Sequence, residues 1–215
     1  MRILELFSGT GSVGRQFAAL GYDVVAVDLD RKANPTHLAD ILTWDYKQYP
    51  PGHFDHVHAS PPCTEYSIAK TCGVRDFAKA DSIVERTLAI LVYFDPPCWS
   101  IENPYVGLRS RPCMELMNPY LRVISYCKYG MPYRKHTCIW SNLYEHWQPE
   151  PHCSKDSPCA HMAAGAKKHP LAAQLRNKVS DEREIRFTQR ELYIIPAVLC
   201  QELAEASMRR LLALR

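Results

Sequence analysis

Cys63 follows two prolines at the end of an apolar run, Phe54-Asp55-His56-Val57-His58-Ala59-Ser60-Pro61-Pro62. The prolines stiffen the turn, and the carboxyl edge of an open α/β sheet, where such a run would end, is where these folds bind ligands. A free thiol ionises at about pH 8.5, so nucleophilic work requires a nearby positive group or helix dipole that favours the thiolate. Thirty-nine residues on, Trp99-Ser100-Ile101-Glu102-Asn103-Pro104 sets a carboxyl group at the end of another apolar run. A nucleophile and an acid can then face one pocket.

A second constellation lies nearer the start. Leu6-Phe7-Ser8-Gly9-Thr10-Gly11-Ser12-Val13-Gly14 follows one apolar run and opens a helical pattern, so its glycines allow a tight turn and a close approach of backbone to a ligand. Asp28, 17 residues beyond Gly11, ends the next run, where nucleotide-binding folds hydrogen-bond ribose hydroxyls. Asp40 takes a comparable position and could reach an adenine amino group. The segment lacks the Lys-Ser/Thr of a phosphate loop, which argues against an NTPase. These residues favour a nucleoside cofactor, either a dinucleotide or S-adenosylmethionine, over a turn that binds nothing.

The elements that must position these groups alternate strand and helix through the first 140 residues, the pattern of an α/β domain with a mostly parallel sheet. Strands are predicted near 2–6, 23–28, 54–59, 98–102, 121–127 and 137–141. Helices are predicted at 12–20, ended by Gly21, and at 80–94, where Ile83, Thr87, Ile90, Leu91 and Phe94 share a face. From about 142 the texture changes to an irregular segment poor in apolar periodicity. Order returns at Tyr193-Ile194-Ile195-Pro196 and a final helix through Leu214, with apolar residues at 199, 203, 206 and 211. The expected division is a catalytic domain over 1–142, a short recognition insert over 143–192, and a helix over 193–215 that docks back on the domain.

Within the insert, Cys153, Cys159 and His161 are a candidate for zinc, although their spacing is not a standard pair; the alternative is a set of solvent-facing polar residues. The other cysteines at 72, 98, 113, 127, 138 and 200 read as small buried hydrophobes. Nine cysteines, an odd number scattered without a signal peptide, fit free thiols in a reducing compartment, cytoplasm or nucleus. No apolar stretch is long enough for a membrane span, so no membrane partner is expected. The net charge is +3, yet residues 167–190 hold seven Lys/Arg against three Asp/Glu. That local +4, which includes Lys167, Lys168, Arg176 and Lys178, suits contact with nucleic-acid phosphates.

The chain resembles the cytosine-C5 methyltransferases, a family of DNA methylases with a tRNA-methylating branch. Phe7-Ser8-Gly9-Thr10-Gly11 is similar to the family's S-adenosylmethionine loop, Pro61-Pro62-Cys63 with Tyr66-Ser67 to its nucleophile motif, and Glu102-Asn103 to its Glu-Asn motif. Tyr129-Gly130-Met131-Pro132-Tyr133-Arg134-Lys135 resembles its Tyr-Gly-x-Pro-Gln-x-Arg segment, with Lys135 in place of one arginine and Thr137 in place of a second. The resemblance covers roughly residues 1–142 and the last helix. It implies a Rossmann-like, S-adenosylmethionine-dependent methyltransferase fold with a mostly parallel sheet and a small irregular insert.

It also implies roles. Cys63 would add to cytosine C6, Glu102 would bind N3, and Arg134 or Lys135 would hold O2 or a phosphate. Phe7 would lie near the methionine part of the cofactor, Asp28 on the ribose and Leu29 over the adenine, with Ser8, Gly9, Thr10, Gly11, Ser12 and Pro61 also lining that site. Arg86 would support Cys63, and Ser67, Asn103, Lys167 and Lys168 would meet the nucleic acid. Cysteine after Pro-Pro, where amino methyltransferases carry an aromatic, excludes N6-adenine chemistry. The expected activity is methyl transfer from S-adenosylmethionine to C5 of cytosine in DNA, the target base being flipped out. RNA as substrate and a catalytically silent binding protein remain the alternatives. So short an insert leaves room for an accessory protein in target recognition.

Overall fold

The computed structural model describes residues 1–67, 70–163, 166, 169–173, 177–180, 183–185 and 187–214. Its elements are β1 (Arg2–Leu6), α1 (Ser12–Ala19), β2 (Asp23–Asp28), β3 (His37–Leu38), β4 (His56–Ala59), α2 (Phe77–Phe94), β5 (Cys98–Pro104), β6 (Leu121–Ser125), β7 (His136–Ser141), β8 (Asn177–Ser180), β9 (Arg183–Ile185), α3 (Gln189–Tyr193) and α4 (Ala197–Ala213). Seven strands form one sheet in the order β3-β2-β1-β4-β5-β7-β6. β1 to β5 run parallel, and β7 is antiparallel to both neighbours. This is the mostly parallel α/β architecture expected. Strand order reverses between β1 and β4, so the crevice outside their carboxyl ends is the place for a ligand.

Helices cover both faces. On one, Val13 and Phe17 of α1 pack with Leu199, Leu203, Ala206 and Leu211 of α4. On the other, Val84, Ile90 and Phe94 of α2 join Leu4, Leu6 and Val57 of the sheet. The observed α2 starts three residues before the expected one because Asp76 accepts the Lys79 N–H at 2.9 Å and caps it. β6 is shorter than expected, since after Ser125 the chain turns into a 3-10 segment, Tyr126–Tyr129.

β4 is buried along its whole length although two of its four residues are histidines. A hydrogen-bonded file makes this tolerable. Tyr22 donates to Ser207 Oγ at 3.1 Å; Ser207 Oγ lies 3.0 Å from His56 Nδ1; Ser100 Oγ sits 3.0 Å from His56 Nε2 and 2.8 Å from His58 Nδ1; and His58 Nε2 lies 3.0 Å from Ser60 Oγ. One donor direction satisfies every link: Tyr22 to Ser207, His56, Ser100, His58, Ser60. Both rings are then neutral Nε2–H tautomers, and Ser60 keeps its own proton to offer the crevice. Burial pushes His56 well below the usual imidazole range and His58 down to about 3.

The segment after 142 is more ordered than its composition suggests. Leu143 and Trp147 are buried in the core shared by α1 and α4, and Trp147 Nε1 donates to Glu202 at 2.9 Å. β8 and β9 form a two-stranded antiparallel sheet, and α3 begins with a capping box between Thr188 and Glu191. Cys153 and Cys159 are buried, not solvent-facing. Of the cysteines read as buried hydrophobes, Cys72 is exposed and Cys113 only partly covered. Among the described residues no helix is long and apolar enough to cross a membrane.

Candidate active site

β1 carries Glu5 in the middle of an apolar strand, and its carboxylate is buried beneath the glycine turn. The Val13 and Gly14 N–H groups at the start of α1, a helix with no side-chain cap of its own, favour the charged form of Glu5. A Cβ at Gly14 would meet Glu5 Oε2 at 2.5 Å, which accounts for that glycine. Burial raises the Glu5 pKa to about 7, against the opposing pull of those amides and Arg15.

The turn itself is held in left-handed backbone. Phe7 has φ 60°, a costly conformation for an aromatic residue, and Gly9 and Gly11 have φ 48° and 65°. The Phe7 amide donates to Val27 O at 2.8 Å, and Asp28 accepts from Gly9 N–H at 2.8 Å and Asp30 N–H at 2.7 Å. These bonds tie the ends of β1 and β2 around one mouth. A cavity of about 280 Å³ opens there, lined by Glu5, Phe7, Ser8, Gly9, Thr10, Ser12, Asp28 and Asp30 on one side and by Ser60, Pro61, Pro62, Cys63, Glu102 and Lys135 on the other. The Ser8 hydroxyl is buried without a hydrogen-bond partner.

Parallel pairing of Ala59 with Ile101 places the turn after β4 beside Glu102 on β5. Asn103 Nδ2 donates to Pro61 O at 2.8 Å, fixing the Pro-Pro-Cys turn, while its Oδ1 is buried without a partner. Tyr126, fully buried, donates to Glu102 Oε1 at 2.7 Å and leaves Oε2 to meet a ligand. Lys135 donates from Nζ to Leu192 O at 2.9 Å and lies 4.6 Å from the centre of the Tyr126 ring. Desolvation and the Glu102 charge push the Cys63 thiol up, while Lys135 pulls it down. At neutral pH Cys63 is therefore a thiol, and a nucleophilic role would require it to lose its proton.

A second cavity adjoins Cys63 on the opposite side, lined by Thr64, Ser67, Lys70, Pro104, Lys135, Ala173, Gln189, Leu192 and Tyr193. Arg75 fastens the loop after Cys63 through the carbonyls of Glu65, Ser67 and Lys70. Tyr66 donates to Asp81 on α2, which also holds Arg111.

Of the residues proposed from sequence, the cavities bring together Cys63, Glu102, Lys135, Ser67 and Pro61 with the glycine turn and Asp28. Arg134 is not among them: it forms an isolated bridge to Ala172 ahead of β7, and its charge acts on His136 and His169. Arg86 does not support Cys63. It donates to the carbonyls of Ile41 and Trp44 and stacks on Tyr46. Asp40, half-buried, accepts from Leu42 N–H at 2.9 Å and, like Gly11 and the exposed Leu29, lies outside the cavity lining. His161 is exposed. Lys167, Lys168 and Arg176 lie outside the described residues, and the Lys178 side chain is likewise not described. Sequence reasoning missed Glu5, Tyr126 and Tyr193. A carboxylate inside a buried parallel strand was the available signal for the first.

A protein of frog virus 3 (isolate Goorha) named "Probable DNA (cytosine-5)-methyltransferase" is 33% identical over 208 residues, covering 87% of this chain and 94% of the relative. No family model matches the chain. Two solved structures align with 66% of it at 19% identity. One, described as a DNA modification methyltransferase encoded within an E. coli prophage, has a TM-score of 0.47 and is covered over 46% of its length. The other, the Dnmt2 methyltransferase of S. pombe, has a TM-score of 0.49 and is covered over 49%. The chain thus spans about half the length of these solved structures.

Proposed function

The chain belongs to the DNA (cytosine-5)-methyltransferase family, and we propose that it methylates C5 of cytosine in DNA through a covalent adduct at Cys63, with S-adenosylmethionine as donor. The observation that carries this reading is the meeting of Cys63, Glu102 and Lys135 with the acid-lined glycine turn in one cavity.

The lining fits that donor. Glu5, Asp28 and Asp30 oppose a pyrophosphate and suit a cofactor that carries a sulfonium and an ammonium group. Asp28 spends one acceptor direction of each oxygen on a backbone amide and retains others for ribose hydroxyls. The orphaned Ser8 hydroxyl is a ready partner for a polar ligand atom. When bound, S-adenosylmethionine supplies a methyl group that an electron-rich carbon can take.

The chain's own residues make that carbon. The Cys63 sulfur adds to cytosine C6, forming S–C6 as the C5=C6 π pair moves to C5 and into the ring. Glu102, oriented by Tyr126, takes up through solvent the proton that Cys63 gives up and donates it to N3, offsetting the charge the addition develops. Its charge opposes the thiolate in the free protein, so neutralising it with that proton favours sulfur ionisation at the moment it is needed. Lys135 steadies the same thiolate. After C5 has gained the methyl, water removes the C5 proton, the pair re-forms C5=C6, and the C6–S bond breaks to return the thiolate. The second cavity, beside Cys63, is the entry for a flipped base, with Thr64, Ser67 and Tyr193 at its wall. The segment 143–192 is the recognition element in this reading, its basic residues contacting phosphates.

Labelled methyl transfer to matched DNA and RNA tests the proposal. DNA should be labelled, RNA should not, and Cys63→Ala should abolish transfer while cofactor affinity stays within about threefold. Labelling by Cys63→Ala, or of RNA alone, overturns it.

A further inference from the structure

Three buried thiols and one imidazole meet at the far side of the Tyr126–Tyr129 turn. Cys127 comes from that turn, Cys153 and Cys159 from the loop after Trp147, and His169 from ten residues further on. The three cysteines pack together as one buried cluster. The sulfurs of Cys127 and Cys159 and a ring nitrogen of His169 lie within 4.8 Å of one another. Ligand atoms of a tetrahedral zinc with sulfur and nitrogen donors sit about 3.5–3.8 Å apart, so shifts of about 1 Å close this set of three, and Cys153 in the same cluster completes it by a turn of its side chain.

His169 is the deciding observation. Its Nδ1 lies 2.6 Å from Leu171 O and 3.1 Å from Leu171 N; the shorter contact places the proton on Nδ1, because a bare nitrogen and a carbonyl oxygen would repel at that distance. Nε2 then carries a bare lone pair, and it is buried without a partner in a residue 8% exposed. An imidazole that lies beside thiols, with one nitrogen donating to a backbone carbonyl and the other buried and unpaired, has the arrangement of a metal ligand with its supporting hydrogen bond. The thiols are placed as firmly: Cys153 N–H donates to Ser125 Oγ on β6 at 2.9 Å, and Lys128, next to Cys127, donates to Ser157 at 3.0 Å. Cys153 turns its sulfur to Met162 Sδ at 3.4 Å, a weak acceptor that a metal would replace. Three soft sulfurs and one imidazole select zinc over magnesium or calcium.

We propose that Cys127, Cys153, Cys159 and His169 hold a structural zinc ion that fastens the insert to the catalytic domain. The consequence reaches the active site. Immediately after His169, Leu171 O accepts the Arg134 N–H at 2.9 Å and Ala173 N–H donates to Arg134 O at 3.2 Å, while Ala173 and Lys135 both line the cavity beside Cys63. The ion anchors one wall of the base-entry cavity. It differs from the set suggested by spacing alone, with His169 in place of exposed His161 and Cys127 recruited from the domain core.

The test is metal analysis of the full chain purified in reducing buffer without chelator or added metal. About one zinc per chain is expected. Replacement by cobalt should give the intense red-edge bands of tetrahedral thiolate coordination. Cys159→Ser and His169→Ala should each lose the metal, whereas His161→Ala should keep it. Under about a tenth of a zinc per chain in the wild type, with no such bands on adding cobalt, overturns the proposal independently of how the variants fold. So does a disulfide among the three cysteines in that preparation, or full zinc retained by His169→Ala.

Discussion

At the scale of single residues, the central relation is between Cys63 and the two charges beside it. Glu102 raises the thiol and Lys135 lowers it, so alkylation of Cys63, followed by peptide mass against pH, should move to lower pH in Glu102→Gln and to higher pH in Lys135→Met. Unchanged profiles would detach both residues from the nucleophile. Tyr126→Phe removes the 2.7 Å bond that orients Glu102. A hydrogen bond to a charged group is worth about 1.5–3 kcal/mol, so kcat should fall about 10- to 100-fold with KM for DNA nearly unchanged; a KM effect alone would assign Tyr126 to binding. Cys63, Glu102 and the glycine turn were legible in the sequence because each depends on residue type at the end of an apolar run. Tyr126 was not, since an aromatic next to a strand reads as core until its hydroxyl is seen to meet a carboxylate. Arg86 misled for the converse reason: its guanidinium serves three groups of the 41–46 segment that no spacing reveals.

At the scale of elements, β4 makes the strand sequence itself pH-sensitive. His56 and His58 are neutral in the fold, with values lowered by burial, His58 to about 3, and take up protons near 6.5 when unfolded. Their contribution is intact above 6.5 and is lost as pH falls, at about 1.4 kcal/mol per pH unit for each histidine. Glu5, raised to about 7, acts in the opposite sense: it favours the fold below its unfolded value of about 4.5 and loses that contribution as pH rises through 7. Between 4.5 and 6.5 two histidines outweigh one carboxyl. Urea unfolding should show less stability at pH 5 than at pH 7, and His58→Asn should flatten the difference; equal stability at both pH values in the wild type would contradict the neutral file. Gly14→Ala drives a methyl to 2.5 Å from Glu5 Oε2 and 3.0 Å from Val24, an overpacking expected to cost about 1–3 kcal/mol in the same assay. The large elements were legible from periodicity: α1, α2, α4 and the six longer strands of the main sheet. β3, with two residues, and α3, with five, are too short to carry a period.

At the scale of the molecule, an enzyme of 215 residues builds both walls of its site from parts distant in sequence. In the proposed reading the cofactor side belongs to β1, β2 and α1, the chemical side to the ends of β4 and β5, and the base-entry wall to Ala173, Gln189, Leu192 and Tyr193. α4 closes the core behind them through Ser207, Glu202 and Arg210, the last bound to the carbonyls of Pro97 and Asn142. A boundary at 142 could be placed from composition, but Leu143 and Trp147 cross it into the shared core; composition averages over a segment, whereas packing depends on two side chains. The most direct test of the central claim uses DNA containing 5-fluorocytosine, whose C5 substituent cannot leave as a proton, incubated with the protein and S-adenosylmethionine and resolved on a denaturing gel. A covalent protein–DNA band that disappears in Cys63→Ala is the expected result. A protein that methylates ordinary DNA yet forms no such band, or forms it without Cys63, would contradict the account.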